Sequence, residues 1–172
     1  MKGKIFILVL IILLAVLVAC KEQEESKIWE VSPTFHIPVT FNDGTEGEYL
    51  LIGEEEKAGF LVGSGEKGEA VARPIIANRG NKYMWHFGGA DDDITGDFKV
   101  VGVNEEGEEH PVLLSGLDET VWEYPGISLS PNNGADSHTP SGMKFPSSGL
   151  WKLKVHFDEE LFAEVTVDVE EG

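Results

Sequence analysis

Leu150-Trp151-Lys152-Leu153-Lys154-Val155-His156-Phe157 puts Trp151, Leu153, Val155 and Phe157 on one side of an extended chain and Lys152, Lys154 and His156 on the other. Side chains alternate between the two faces of a β-strand, so this run reads as a strand with one buried and one wetted side. Asp158-Glu159-Glu160 then turns the chain. Beyond it Leu161, Ala163, Val165, Val167 and Val169 alternate with Phe162, Glu164, Thr166, Asp168 and Glu170. The two runs predict a half-buried antiparallel hairpin.

The same grammar extends upstream. Lys82–Phe87 and Asp97–Val103 predict two strands joined by the turn Gly88-Gly89-Ala90-Asp91-Asp92-Asp93, with His110–Leu114 a partner to the second. Met143–Phe145 is short and leads through Pro146-Ser147-Ser148-Gly149 into the strongest strand. Phe35–Phe41 contains Pro38, which cannot donate to a ladder and so marks an edge or bulged strand. Tyr49–Ile52, Phe60–Val62 and Val71–Ile76 complete the set. Residues 115–141, rich in glycine and proline, read as a long loop with at most a short strand at Ile127–Leu129. Short apolar runs spaced by turn residues, with no amphipathic helix after residue 28, place the chain in the all-β class.

The N-terminus follows another logic. Behind Lys2 and Lys4, Ile5 to Ala19 contains no polar residue, which has the length of a signal-peptide core and falls short of a spanning helix. The run ends Leu17-Val18-Ala19-Cys20 and turns polar at Lys21-Glu22-Gln23-Glu24-Glu25. That tetrapeptide resembles the bacterial lipobox, whose cysteine thiolate accepts a diacylglyceryl group and becomes the first residue of the mature chain. Two acyl chains make a stable membrane anchor, at about 0.8 kcal/mol per buried methylene. Residues 1–19 are thus read as a lipoprotein signal peptide, 20–31 as the lipidated cysteine and a tether, and 32–172 as the β-domain. Lys21 to Lys27 would span at most about 25 Å when extended.

Composition narrows the function classes. The 172 residues carry 13 basic against 31 acidic side chains, and the loss of Lys2 and Lys4 takes the net charge from −18 to −20. Nucleic-acid binding needs clustered basic residues, so this balance excludes it. Cys20 is the one cysteine, which excludes a disulfide framework and cysteine-rich metal sites.

Taken with Lys82-Tyr83-Met84-Trp85-His86-Phe87 and Ser130-Pro131-Asn132-Asn133-Gly134-Ala135-Asp136, the closing segment PSSGLWKLKVHFDEELFAEVTVDVEE looks like the last hairpin of a bacterial immunoglobulin-like domain. The chain resembles a family of uncharacterised lipoproteins from Bacillus-type Gram-positive bacteria with an immunoglobulin-like β-sandwich. The likeness covers most of the mature chain and is most immunoglobulin-like from about residue 82. It implies a fold and a location, and brings no activity with it. The disulfide common in antibody domains is missing, so Trp151 has to fill the core alone.

Motifs for chemistry are sparse. Gly63-Ser64-Gly65-Glu66-Lys67-Gly68 has the spacing of a dinucleotide-binding loop, yet Pro74 follows six residues on and leaves no room for the phosphate-binding helix. A hairpin loop accounts for it. The five histidines and the serines form neither a Gly-x-Ser-x-Gly elbow nor a His-Glu-x-x-His segment. Asp91, Asp92, Asp93 and Asp97 form the densest carboxylate cluster, weak candidates for calcium against the plainer reading of a solvated acidic turn. Asn132, Asn133, Asp136 and His138, with Trp122 and Tyr124 nearby in sequence, form a candidate recognition loop. No cofactor is implied. The leading expectation is a membrane-anchored, cell-surface β-sandwich that binds an envelope protein or glycan without catalysis. The alternatives are an envelope hydrolase with a site assembled from scattered residues, or a passive structural lipoprotein.

Overall fold

Two antiparallel sheets stacked face to face make up the computed structural model, which describes residues 29–89, 94–127 and 129–172. The segment read as a signal peptide, Cys20, the start of the expected tether and Asp91, Asp92 and Asp93 lie outside the described residues. Among those described there is no helix.

The first sheet begins with β1 (Thr34–Thr40), β2 (Glu46–Glu54) and β3 (Ala58–Glu66), a meander joined by tight turns. It continues through β6 (Asn81–Phe87) and β13 (Ala135–Met143) to β9 (Leu113–Ser115) and β10 (Glu119–Val121). Two short strands, β4 (Val71–Ala72) and β12 (Ser130–Asn132), pair with β3 and β13. The second sheet runs β11 (Glu123–Tyr124), β7 (Phe98–Asn104), β14 (Gly149–Phe157), β15 (Glu160–Glu170) and β5 (Ile75–Ile76), with β8 (Glu109–Pro111) beside β7. β5 and β15 are parallel; the other pairings are antiparallel. As expected from Pro38, β1 is an edge strand.

The closing hairpin is where the sequence places it, with Trp151, Leu153, Val155, Phe157, Ala163, Val165, Val167 and Val169 all buried. Facing them are Phe60, Trp85 and Phe87 of the first sheet, and Phe87 lies 5.1 Å from Phe157 and 5.7 Å from Phe98 between ring centroids, both edge to face. Such pairs add about 0.5–1.5 kcal/mol beyond area burial. Trp151 fills the core as its position requires and donates its indole N–H to the Ser147 carbonyl at 3.0 Å.

Four expectations are corrected. First, strict alternation along Leu161–Val169 fails at its start. A bulge between Val155 and His156 leaves Phe162 as an extra residue, so Leu161 turns out to solvent and the Phe162 ring packs against Phe87 and Phe157. Second, Lys82–Phe87 and Asp97–Val103 do not form a hairpin: β6 and β7 belong to different sheets. Third, the His110–Leu114 run divides, β8 pairing with β7 and β9 with β13 and β10.

The fourth correction is the largest. Residues 115–141 are no structureless loop: four strands, β10 to β13, lie in or run out of them, β13 is central to the first sheet, and Ile127 and Leu129 lie outside these strands. Before the buried Met143 its inward side chains, Ser137, Thr139 and Ser141, are small hydroxyls buried under aromatic neighbours, and Ser141 Oγ accepts the Trp85 indole N–H at 3.1 Å. Pro140 is tolerated because β12 pairs with β13 only as far as His138 and β9 only at Met143. Between them that edge is open, and a missing N–H there breaks no ladder.

Two contacts lock the entering chain. Ser32 N–H donates to the Thr166 carbonyl and Thr166 N–H donates to Ser32 Oγ, each at 2.8 Å, which clasps the segment before β1 to β15 of the other sheet. Just upstream, the Trp29 ring stands 4.8 Å from Lys152 Nζ.

Candidate functional site

A groove of about 540 Å³ lies at one end of the first sheet, lined by β1, the β2–β3 turn, the end of β6 and the β12–β13 turn. Pockets for small ligands commonly fall between about 300 and 1,000 Å³. Its walls are fixed by two consecutive glycines just after β6. Gly88 N–H donates to the Lys57 carbonyl in the β2–β3 turn at 2.9 Å, and Gly89 N–H donates to Asp136 Oδ2 at 3.0 Å. A side chain at Gly88 is excluded, since its Cβ would stand 2.3 Å from the Glu56 carbonyl oxygen.

The groove has an apolar base. The Phe35 ring lies over Gly59, where a Cβ would come within 2.9 Å of two ring carbons. Ile37, Ala58 and Phe87 add to this surface. The rim is acidic: Glu54, Glu55 and Glu56 are exposed on one wall and Asp136 on the other, and Lys57 pairs with Glu54 at 3.6 Å.

His86 also lines the groove. It alternates with the inward-facing Trp85 and Phe87, so it points to the outer face of the sheet, yet it is only 4 % exposed. Neither of its ring nitrogens has a hydrogen-bond partner. Burial, and then the neighbouring His138, hold its imidazole below the ordinary histidine value, so it is neutral at pH 7. An unpartnered buried polar group costs about 1–3 kcal/mol, and a ligand can recover that cost by supplying the missing bond.

The structure divides the sequence-predicted recognition residues. Asn133 and Asp136 line the groove, while Asn132 and His138 belong to the same hairpin, His138 being directly paired with His86. Trp122 and Tyr124 belong elsewhere. Trp122 is exposed between β10 and β11, and Tyr124 packs against Phe98 and donates its hydroxyl to the Leu114 carbonyl at 2.6 Å, which joins the two sheets. Sequence reasoning missed Phe35 and His86 as site residues. The one local signal was a histidine wedged between two core aromatics, Trp85 and Phe87.

The other candidates have structural duties. Asp97 Oδ1 accepts the Gly126 N–H at 2.7 Å, and its own N–H donates to Asp158 Oδ1 at 2.8 Å, so it ties loops together. Among the described residues no three His, Cys, Asp or Glu side chains are grouped to hold a metal ion. Ser130 and His138 approach each other, but His138 Nδ1 donates to the Ser130 carbonyl. A protonated Nδ1 cannot take the serine proton, so this pair is not poised as nucleophile and base.

Comparison with known proteins supports the lipoprotein reading. A crystal structure titled "Putative Lipoprotein from Bacillus anthracis" is similar to this chain at 25% identity and a TM-score of 0.57, over 83% of this chain and 86% of that one. That similarity supports a lipoprotein anchored to a membrane. Among curated proteins nothing matches. Residues 21–167 match the family described as domain of unknown function (DUF4871). With the match spanning nearly the whole of the chain beyond the signal-like segment, this protein belongs to the DUF4871 family.

Proposed function

We propose that the protein is a lipid-anchored binding module on the extracytoplasmic face of the membrane, without catalytic activity, and that the groove is its ligand site. The observation that carries this reading is a preformed concavity whose base includes a buried, unpartnered imidazole. Cys20 carries the lipid and residues 32–172 form the presenting domain. Within that domain we read the strands from Ile75 onward as an immunoglobulin-like Greek key, a reading that their pairing supports. β6 pairs with β13 in one sheet, β7, β14 and β15 are neighbours in the other, and the last strand closes in parallel against β5. The β1–β3 meander then extends the first sheet and supplies one side of the groove. An envelope protein or glycan is the expected partner class.

The test has two arms. Cys20→Ser removes the thiolate that accepts the lipid, so fatty-acid labelling should vanish; persistent labelling refutes the anchor. For binding, the full chain and its Ala135→Trp variant, which fills the groove, are used to capture components of envelope extract. A component retained by the native chain and lost in the variant supports the site. Equal retention, or none by either, refutes it.

A further inference from the structure

The groove's lining also specifies a charge. We propose that it takes an organic ammonium ion, either a small amine or a lysine side chain of a peptide, with its apolar part on Phe35 and Ile37 and its N–H groups toward the carboxylate rim and His86. This inference rests on the groove being a binding site and deepens that reading.

Three independent features agree. Glu54, Glu55, Glu56 and Asp136 crowd the rim; of the basic side chains there, Lys57 is paired with Glu54, and His36 Nδ1 lies 3.1 Å from Glu48 Oε1. An anion entering would meet this field directly, whereas a cation neutralises it. The base is aromatic at Phe35, and an ammonium over an aromatic face gains electrostatically on top of apolar contact. The ring is held there because Gly59 has no side chain to displace it. Finally, His86 is buried with both nitrogens unpartnered. A neutral imidazole has one N–H and one bare nitrogen; an ammonium donor completes the bare nitrogen, which a carboxylate or phosphate oxygen cannot do. The nitrogens are sealed from solvent at present, so binding must draw the ring toward the groove.

The full chain, held in nanodiscs of zwitterionic lipid with its histidine rings isotopically labelled, is titrated by NMR. The probes are 1,4-diaminobutane, acetyl-Phe-Lys-Phe-amide and the same peptide with its lysine acetylated, which removes the charge and keeps the shape. A saturable shift of the His86 and His138 ring signals with the amine, the lysine peptide or both is expected, and which of them produces it identifies the source. Acetylation should weaken binding about tenfold or more, the equivalent of about 1.4 kcal/mol. Glu55→Gln with Asp136→Asn should weaken it about fivefold, as exposed ion pairs do. Equal binding of the acetylated peptide overturns the ammonium inference but leaves the groove a binding site. No saturable shift with either cation at millimolar concentration overturns it as well, and the envelope capture then decides the groove separately.

Discussion

His86 and His138 stand directly opposite each other on β6 and β13, their ring centroids 6.5 Å apart and their planes inclined at 70°. One has both nitrogens free of partners and the other is fixed by the Ser130 carbonyl. A charge on His86 is disfavoured there, first by burial and then by the neighbouring His138.

The pH dependence follows in sign. His86 is held below the ordinary histidine value by burial and then by His138, and His156 is lowered by burial and then by Lys99. A histidine whose folded pKa lies below its unfolded value binds protons more readily when unfolded. Its stabilising contribution is therefore complete above about pH 6.5, the unfolded value, and is lost as pH falls through the folded one. Urea midpoints should drop between pH 7.5 and 5.5. His86→Leu should flatten that drop, and an unchanged slope would mean that His86 is not its source.

Phe35 and Gly59 form a second testable pair. Gly59→Ala places a methyl group 2.9 Å from the Phe35 ring and 3.0 Å from the Ile52 carbonyl oxygen, and should cost about 1–3 kcal/mol. In a Phe35→Ala background the ring conflict disappears and only the backbone conflict remains. A double-mutant cycle from chemical denaturation should therefore show coupling of about 0.5 kcal/mol or more. Additivity within error would place the ring elsewhere.

At the far edge, Tyr124→Phe leaves the Leu114 carbonyl without its 2.6 Å donor across the sheets, and should cost about 1–2 kcal/mol in thermal or urea unfolding. Trp122→Ala, at a side chain 42 % exposed, should cost less. The reverse order would give Trp122 the structural part.

Trp151→Ala should cost about 3–5 kcal/mol, for the ring is 1 % exposed and meets Phe145 and His110. Lys152→Ala is not silent, because this lysine pairs with Glu164 at 3.8 Å and reaches the Trp29 ring; about 0.5–1 kcal/mol is expected. Equal losses at the two positions, read by chemical denaturation, would contradict the facing of β14.

The closing hairpin was legible because its period of two coincides with large apolar side chains at Trp151, Leu153, Val155 and Phe157. β13 was hidden for the opposite reason: its buried positions before Met143 are Ser137, Thr139 and Ser141, whose small size suits the aromatic rings beside them and whose polarity imitates a loop. Phe162 was assigned to the wet face because a bulge changes the count by one, and nothing local announces it. The candidate site shows the same division. Asn133 and Asp136 sit in a stretch whose polarity attracts attention, whereas Phe35 and His86 reach the groove from β1 and β6 through pairing across two further strands. Which sheet a strand joins is decided by packing over the whole domain, so local pattern could not separate β6 from β7.

The clasp between Ser32 and Thr166 has a mechanical consequence. Were the domain tethered through Cys20, a pull from the membrane would travel along the segment before β1, past Trp29, to Ser32. There the load would pass into β15, a strand held on both sides by β14 and β5, before it could bear on edge strand β1. Tension would thus be delivered to a strand seated inside the second sheet, and the meander that shapes the groove would be shielded from it.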